Sequence, residues 1–161
     1  MLDTMKTLLF LLLLPPLVAA DDNSRARDLG IPFEGLPGRY NAITDVPGVE
    51  VGFETITRGL AADKAVRTGV TAILPRGRAN HDQPVYGGWF SLNGNGEMTG
   101  TAWIEESGFV EGPIMITNTH SVGAVHEGTI RWRFENGAAD SRDYWWSLPV
   151  IAETWDGYLN D

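Results

Sequence analysis

The spacing of apolar residues changes twice in the second half of the chain, and this change constrains the fold more than any other sequence feature. Residues 113 to 118 form a compact apolar run bounded by turn residues, which is typical of a strand buried on both faces. The next apolar residues recur at roughly helical spacing, which predicts a helix over residues 121 to 135 that ends at Asn136-Gly137. Residues 148 to 154 form another buried run. The sequence therefore predicts a strand, a helix and a second strand in this order.

Two further strands are predicted upstream, on either side of a charged loop. Residues 49 to 54 alternate apolar and polar side chains, which indicates a strand with one buried face. Residues 68 to 74 form the next predicted strand. Residues 57 to 67, between them, are charged and small, as in a loop or the arm of a hairpin.

A glycine-rich turn and a short helix are predicted in the middle of the chain. Residues 93 to 97 contain two Asn-Gly pairs, which tolerate positive φ and favour a tight reversal. Residues 101 to 107 are predicted to form a helix with Thr101 as its N-cap, Ile104 facing inward and Gly108 at its end.

Composition excludes several classes of function. The 161 residues contain no cysteine, so thiol catalysis and thiolate metal sites are excluded. A formal net charge of −9 argues against nucleic acid or anionic lipid as a partner. Six Trp, six Phe and four Tyr among 19 Gly and 9 Pro indicate a folded, turn-rich α/β or β-rich protein.

The N-terminal segment has the pattern of a secretory signal peptide. Its apolar run, residues 8 to 14, is too short to span a bilayer, and Lys6 provides a positive charge before it. Val18 and Ala20 place small residues before a cleavage site after Ala20. We therefore expect residues 1 to 20 to be removed on export to the periplasm or medium; the alternative is an uncleaved anchor. The remaining residues, 21 to 161, are predicted to form one domain.

The histidines and serines do not form a familiar catalytic pattern. His120 and His126 are six residues apart, whereas a zinc-binding pair on a helix is separated by four. No serine lies in the Gly-x-Ser-x-Gly pattern of a nucleophile elbow, and Ser121 is interpreted as a helix cap. The sequence predicts no metal site and no cofactor.

Two segments suit a ligand site as well as a structural role. The Asn-Gly turn either only reverses the chain or presents Asn95 or Glu97 to a ligand. Tyr144-Trp145-Trp146 places three aromatic residues in a row, and these cannot all pack on one face. At least one of them is therefore expected to project into a cleft or an interface.

Seven runs of the sequence, taken in order, carry a resemblance to a known family. They are residues 25 to 30 (RARDLG), 41 to 49 (NAITDVPGV), 67 to 71 (RTGVT), 93 to 100 (NGNGEMTG), 112 to 114 (GPI), 117 to 123 (TNTHSVG) and 153 to 161 (ETWDGYLND). The chain resembles the DmpA-type aminopeptidases, which include the L-aminopeptidase/D-alanine esterase-amidase and the bacterial beta-aminopeptidases. One departure is Phe53, where many members of the family have histidine.

The resemblance implies a fold and a mechanism. The expected fold class is α/β, as part of an α-β-β-α sandwich of the DmpA and ornithine acetyltransferase type that is incomplete in this chain. Members of the family resemble N-terminal-nucleophile hydrolases, in which a precursor cuts itself at a Gly-Ser bond. The freed serine then acts as nucleophile, and its own α-amine accepts the hydroxyl proton. The implied reaction releases N-terminal residues from small peptides, amides or esters.

The resemblance also implies roles for particular residues. The self-cleaving Gly-Ser pair and an oxyanion-stabilising asparagine match positions beyond Asp161, so the chain is expected to be an inactive N-terminal fragment of the α part. Tyr144 matches the tyrosine that lines the site and donates its hydroxyl to the substrate carbonyl or oxyanion. Asn118, Glu97 and Glu153 are expected to add polarity to the substrate pocket.

The expected partners follow from the same resemblance. They are a small peptide, amide or ester substrate, the remainder of the α chain, the β chain, and further copies in a homo-oligomer, with no nucleic acid and no membrane after signal cleavage. Without the remaining strands, residues 114 to 118 and 148 to 154 are expected to lose pairing partners and leave exposed sheet edges.

Two other functions stay open at this point. The chain could be a secreted, non-catalytic binding domain that uses the surface of residues 144 to 146. It could also be an acyl transferase of the ornithine acetyltransferase type, although the predicted signal peptide counts against a cytosolic biosynthetic role.

Overall fold

The structure is a computed structural model that describes residues 24 to 59, 65 to 137 and 145 to 160. The chain divides into two units, one ending at Leu36 and the other beginning at Pro37. The predicted signal peptide lies outside the described residues. Within the part that is described, no helix has the length and apolar character needed to cross a bilayer.

The Arg27 side chain links two parts of the described segment of the first unit. Residues 24 to 36 contain turns but no helix or strand. The Arg27 guanidinium donates to the carbonyl oxygens of Phe33 at 3.2 Å and Glu34 at 3.1 Å, and lies over the Phe33 ring.

The second unit combines strands and helices, as the sequence predicts. Its described elements are β1 (Glu50–Arg58), β2 (Val66–Leu74), β3 (Val85–Tyr86), α1 (Thr101–Ser107), β4 (Phe109–Val110), β5 (Ile114–Asn118), α2 (Val122–Glu135) and β6 (Val150–Thr154), with short 3-10 turns at Ile43–Asp45, Arg78–Asn80 and Thr119–Ser121. The two upstream strands are longer than predicted, because β1 and β2 extend toward each other and shorten the loop between them.

Four of these strands form one sheet in the order β1-β2-β5-β6. β1 pairs antiparallel with β2, and β2 pairs antiparallel with β5. β5 and β6 are parallel, with Asn118 opposite Thr154 at their carboxyl ends. Helix α2 connects these two strands, and the carboxyl ends of parallel strands meet at the same edge of a sheet. Asn118 and Glu153 lie at this edge.

The expectation that β5 and β6 would be exposed edges is wrong. β5 lies between β2 and β6. β6 also has a partner on its far side, since the Thr99 N–H donates to the Ile151 carbonyl and the Glu153 N–H donates to the Glu97 carbonyl, both at 3.0 Å. The residues after the Asn-Gly turn therefore form a short paired segment along β6.

Helix α2 covers one face of the sheet. Its buried residues, Val122, Thr129 and Arg133, are separated by seven and four positions and so lie on one side of the helix. Met115 on β5 and Trp132 on α2 line a mainly apolar cavity of about 410 Å³ between sheet and helix. Ser121 is the N-cap residue of α2, as predicted, but its hydroxyl makes no capping bond. The Asn118 side chain accepts the backbone N–H groups of His120 and Ser121 in the 3-10 turn just before α2.

The opposite face of β5 and β6 packs against α1 and the small β3-β4 sheet. Ile104, Val110 and Val150 form the buried cluster there, with Val85 and Ile114 partly buried beside it. The short helix α1 has the predicted bounds, the predicted inward residue Ile104 and Gly108 at its end. Thr101 is not its N-cap, because Gly100 takes that position in the left-handed conformation.

β1 differs from the other strands of the sheet because all nine of its residues are exposed. The prediction of one buried face is therefore wrong for the described residues. The strand approaches β2 closely at Gly69, where an added Cβ would collide with the Glu54 carbonyl oxygen. Glycine is required here by the close approach of two backbones.

Candidate active site

Three of the four residues predicted for the site lie near the carboxyl ends of β5 and β6. Asn118 is the last residue of β5, and Glu153 lies one residue before the end of β6. Glu97 lies on the segment paired with β6, with its carbonyl bound to the Glu153 N–H. Residues from three separate parts of the sequence thus lie at one edge of the sheet.

Asn118 is buried, with 4% of its surface exposed, and it organises this edge. Its Oδ1 accepts the backbone N–H groups of His120 at 3.1 Å and Ser121 at 3.0 Å. Its Nδ2 donates to the Thr68 hydroxyl at 2.8 Å, and that hydroxyl donates to Asp156 Oδ2 at 2.6 Å. Both ends of the amide are therefore engaged within the protein. A direct contact of Asn118 with substrate stays a prediction.

Glu97 and Glu153 line the same groove. It has a volume of about 520 Å³, and its lining consists of Asn95, Gly96, Glu97, Thr119, Glu153 and Trp155. Glu153 is half-buried and Glu97 is exposed. The lining residues include two carboxylates and no basic side chain. Such a groove suits a positively charged or hydrogen-bond-donating ligand.

Two residues of this groove had no role assigned from the sequence. Thr119 donates its hydroxyl to Glu153 Oε2 at 2.6 Å. Trp155 follows β6 and is 76% exposed, so its indole face is accessible beside the carboxylates. Both residues lie in runs that carry the family resemblance, but neither spacing nor composition indicated that they would meet Glu153.

The Asn-Gly turn has a different geometry from the one expected. Neither Gly94 nor Gly96 has a positive φ. The turn is closed by the Asn93 side chain, whose Oδ1 accepts the Asn95 N–H at 2.9 Å. This Asx turn leads into the segment that pairs with β6 and places Glu97 in the groove.

A second cavity, of about 330 Å³, lies on the sheet face where the Asn118 network is accessible. Its lining includes Phe53, Thr68, Asn118 and Asp156. Phe53, the departure from the family pattern, is 76% exposed there. Its aromatic ring gives this cavity an apolar wall.

Tyr144, the predicted hydroxyl donor, lies outside the described residues, so its role stays a prediction. The two tryptophans after it are described. Trp145 lies 6.0 Å from the Phe134 ring, and Trp146 makes an edge contact with Trp103 at 5.1 Å. The chain that follows position 144 is therefore attached to both helices.

Arg133 supports this attachment from inside the protein. Arg133 is buried, with 3% of its surface exposed, and its Nη1 donates to the Ser147 hydroxyl at 2.6 Å. Its guanidinium lies 5.9 Å from the centre of the Trp145 ring. Burial lowers the pKa of Arg133 from its ordinary value, and the carboxylates of Glu111 and Asp82 partly offset this effect.

His81 packs against the end of α2. It follows the 3-10 turn Arg78–Asn80 and is buried, and its Nε2 lies 3.1 Å from the Asn136 carbonyl oxygen. It contacts Trp132 edge-on at 4.8 Å, so it helps to pack the end of α2.

Within residues 24 to 59, 65 to 137 and 145 to 160, no group of three or more His, Asp or Glu side chains could hold a metal ion.

Comparison with known proteins agrees with the family resemblance. Peptidase family S58 matches residues 41 to 161. The chain belongs to peptidase family S58. Two beta-peptidyl aminopeptidases named BapA are similar to it. The one from Sphingosinicella microcystinivorans is 53% identical over 150 residues, and the one from Sphingosinicella xenopeptidilytica is 47% identical over 144 residues.

Solved structures confirm the fold class. The L-aminopeptidase D-Ala-esterase/amidase from Ochrobactrum anthropi, described as a prototype of the serine aminopeptidases and a new variant of the Ntn hydrolase fold, matches with a TM-score of 0.75 and 53% identity over 85% of this chain. A Burkholderia sp. beta-aminopeptidase matches with a TM-score of 0.75 and 49% identity over 85% of the chain. The α/β fold and the relationship to DmpA-type enzymes are thus confirmed.

The chain spans a minor part of the length of these relatives. It covers 36% and 35% of the two BapA proteins. It covers 39% of the Ochrobactrum chain and 38% of the Burkholderia chain. The family match extends over residues 41 to 161 of this chain.

Proposed function

We propose that the full-length protein is a serine aminopeptidase that releases N-terminal residues from small peptides, amides or esters. In this proposal the present chain supplies part of the scaffold and one wall of the site. The observation that carries the proposal is the groove in which Glu97, Glu153 and Trp155 meet. An aminopeptidase has to recognise a protonated amino group, and carboxylates beside an aromatic face are well suited to bind one.

Glu153 is the residue we assign to the substrate's ammonium group. Its Oε2 already accepts the Thr119 hydroxyl, and its Oε1 lies beside Gly96 at the groove. A carboxylate held in this way can accept a charge-assisted hydrogen bond without reorganising. Glu97, on the paired segment, adds a second negative charge to the same groove.

The nucleophile in this proposal is a serine outside the 161 residues. A precursor cuts itself at a Gly-Ser bond, and the α-amine of the freed serine takes the proton of its hydroxyl during attack on the substrate carbonyl. Tyr144 donates its hydroxyl to the oxygen that becomes negatively charged. The carbonyl carbon becomes bonded to the serine, the substrate's leaving group departs with a proton, and water then releases the acyl group. No cofactor takes part.

The location and assembly of the protein are also part of the proposal. We propose that residues 1 to 20 direct export and are removed after Ala20, which places the enzyme in the periplasm or the medium. The mature enzyme then contains the rest of the α chain and the β chain, and assembles as a homo-oligomer. N-terminal sequencing of the exported protein tests the first step, with Asp21 as the expected first residue.

The proposal is tested by comparing the full-length protein with the 161-residue chain. We expect the full-length protein to separate into two chains on a denaturing gel, with serine at the new amino terminus by mass spectrometry. We expect it to hydrolyse alanine p-nitroanilide, and the 161-residue chain to show no hydrolysis above buffer. A full-length protein that neither cleaves itself nor hydrolyses the substrate would refute the proposal, and so would an active 161-residue chain.

A further inference from the structure

The Glu153 carboxylate has its two oxygens in different surroundings. Oε2 accepts the Thr119 hydroxyl at 2.6 Å, a short charge-assisted hydrogen bond. Oε1 lies toward Gly96, where an added Cβ would be only 3.1 Å away. One oxygen is therefore held by the protein, and the other lies at the groove beside position 96, which has no side chain.

Thr119 is itself held in place by Asn118. The Asn118 side chain accepts the N–H groups of His120 and Ser121, which fixes the 3-10 turn Thr119–Ser121. Its Nδ2 is bound to Thr68, whose hydroxyl is in turn bound to Asp156. The turn that carries Thr119 is thus attached to β2 and to the chain after β6. This arrangement leaves the Thr119 hydroxyl little freedom relative to Glu153.

We infer that Thr119 is a positioning residue for amine recognition. Its hydroxyl fixes Oε2 of Glu153, and Oε1 then faces the groove beside Gly96, where the ammonium group of the substrate binds. This inference rests on the proposed function. It adds that the orientation of the carboxylate, as well as its charge, determines the affinity for a primary amine. A freely rotating glutamate would lose side-chain entropy each time it bound the substrate.

Gly96 has a separate role in the same inference. A methyl group at position 96 would occupy the space directly next to Oε1, so Gly96→Ala should obstruct the amine while leaving the Thr119 bond intact. Gly94 provides a matched control in the same turn, because a Cβ added there meets nothing within 4 Å. Neither glycine has a positive φ, so alanine causes no backbone strain at either position.

The test is a double-mutant cycle on the KM of the full-length enzyme for alanine p-nitroanilide. We expect Thr119→Val to raise KM about tenfold with little change in kcat, and Thr119→Ser, which keeps the hydroxyl, to stay within about twofold of the wild type. In a Glu153→Gln background, where the charge is already lost, Thr119→Val should raise KM by less than about twofold. Gly96→Ala should raise KM about tenfold, and Gly94→Ala should leave it unchanged.

The outcomes separate this inference from the proposed function. Equal effects of Thr119→Val in the wild-type and Glu153→Gln backgrounds would mean that Thr119 is only structural, and would overturn the inference alone. The same holds if Thr119→Val has no effect while Glu153→Gln raises KM strongly. An enzyme whose KM does not respond to Glu153→Gln would overturn the amine site itself, and the inference with it. Thermal unfolding of each variant shows whether a loss of stability accounts for the change.

Discussion

The two outer strands of the sheet differ in almost every respect. β6 is buried at Val150 and Ile151, with 2% and 0% of their surfaces exposed, and it is paired on both sides. β1 is exposed along all nine residues and is paired only with β2 among the described residues. The strand that is more buried and paired on both sides is the one that carries Glu153.

The proposed site lies on the better buried side of the sheet, around β6. The residues of the groove lie on β6, on the segment paired with it and on the turn before α2, where side chains are held by packing and hydrogen bonds on several sides. A binding carboxylate needs such support, because its geometry has to persist when the substrate is absent. β1 contributes strand pairing but little burial, so substitutions there should have smaller effects.

The largest contrast is expected between two isoleucines, one on each outer strand. Ile151→Ala should lower the free energy of unfolding by about 4 kcal/mol, because the side chain is fully buried and its removal leaves a cavity. Ile56→Ala on β1 should lower it by less than about 1 kcal/mol, since Ile56 is 39% exposed. Urea unfolding of the purified chain measures both. Equal losses would show that β1 is as well packed as β6.

The next contrast is between two arginines near the end of α2, one of which binds the chain just before β6. Arg133→Ala should cost about 3 kcal/mol, because it removes a buried, hydrogen-bonded side chain and leaves the Ser147 hydroxyl without this partner. Arg131 is two residues away and makes an exposed i,i+4 ion pair with Glu127, so Arg131→Ala should cost about 0.3 kcal/mol. Thermal unfolding distinguishes them. If the two variants melt at the same temperature, Arg133 does not anchor residues 145 to 147.

A smaller contrast concerns two glycines where β1 meets β2. Gly69→Ala should cost about 2 kcal/mol, because the new methyl group collides with the Glu54 carbonyl and forces the strands apart. Gly52→Ala on β1 should be nearly neutral, since nothing lies within 4 Å of the added Cβ. Urea midpoints of both variants test this expectation. A neutral Gly69→Ala would mean that the two strands can separate freely.

The positions of the strands and helices could be predicted from sequence better than their burial and pairing could. The apolar run at Ile116 and the helical spacing that follows it gave β5 and α2 to within a residue or two, because period and turn residues are local signals. Alternation in β1 predicted the strand but not its exposure, since burial depends on what packs against a face. The pairing of Glu97 with β6 likewise joins residues more than fifty positions apart, and no local pattern encodes it.

The helix caps and the groove also depend on tertiary contacts that no local sequence pattern encodes. Thr101 and Ser121 have the right residue type for N-caps, but Gly100 takes the N-cap position of α1. Ser121 is the N-cap of α2 without a side-chain bond, and the Asn118 side chain caps the 3-10 turn before it. Glu97 and Glu153 could be named from the family resemblance, whereas the contact between Thr119 and Glu153 could only be seen once β5 and β6 were placed side by side.

The central claim, that Glu153 recognises the amino group of the substrate, is tested most directly by a ratio. The ratio is kcat/KM for alanine p-nitroanilide divided by kcat/KM for its N-acetylated form, measured in the full-length enzyme and in Glu153→Gln. We predict a ratio of at least about 100 in the wild type that falls at least about tenfold in the variant, because the lost interaction is a charge-assisted hydrogen bond. An unchanged ratio in Glu153→Gln would contradict the account.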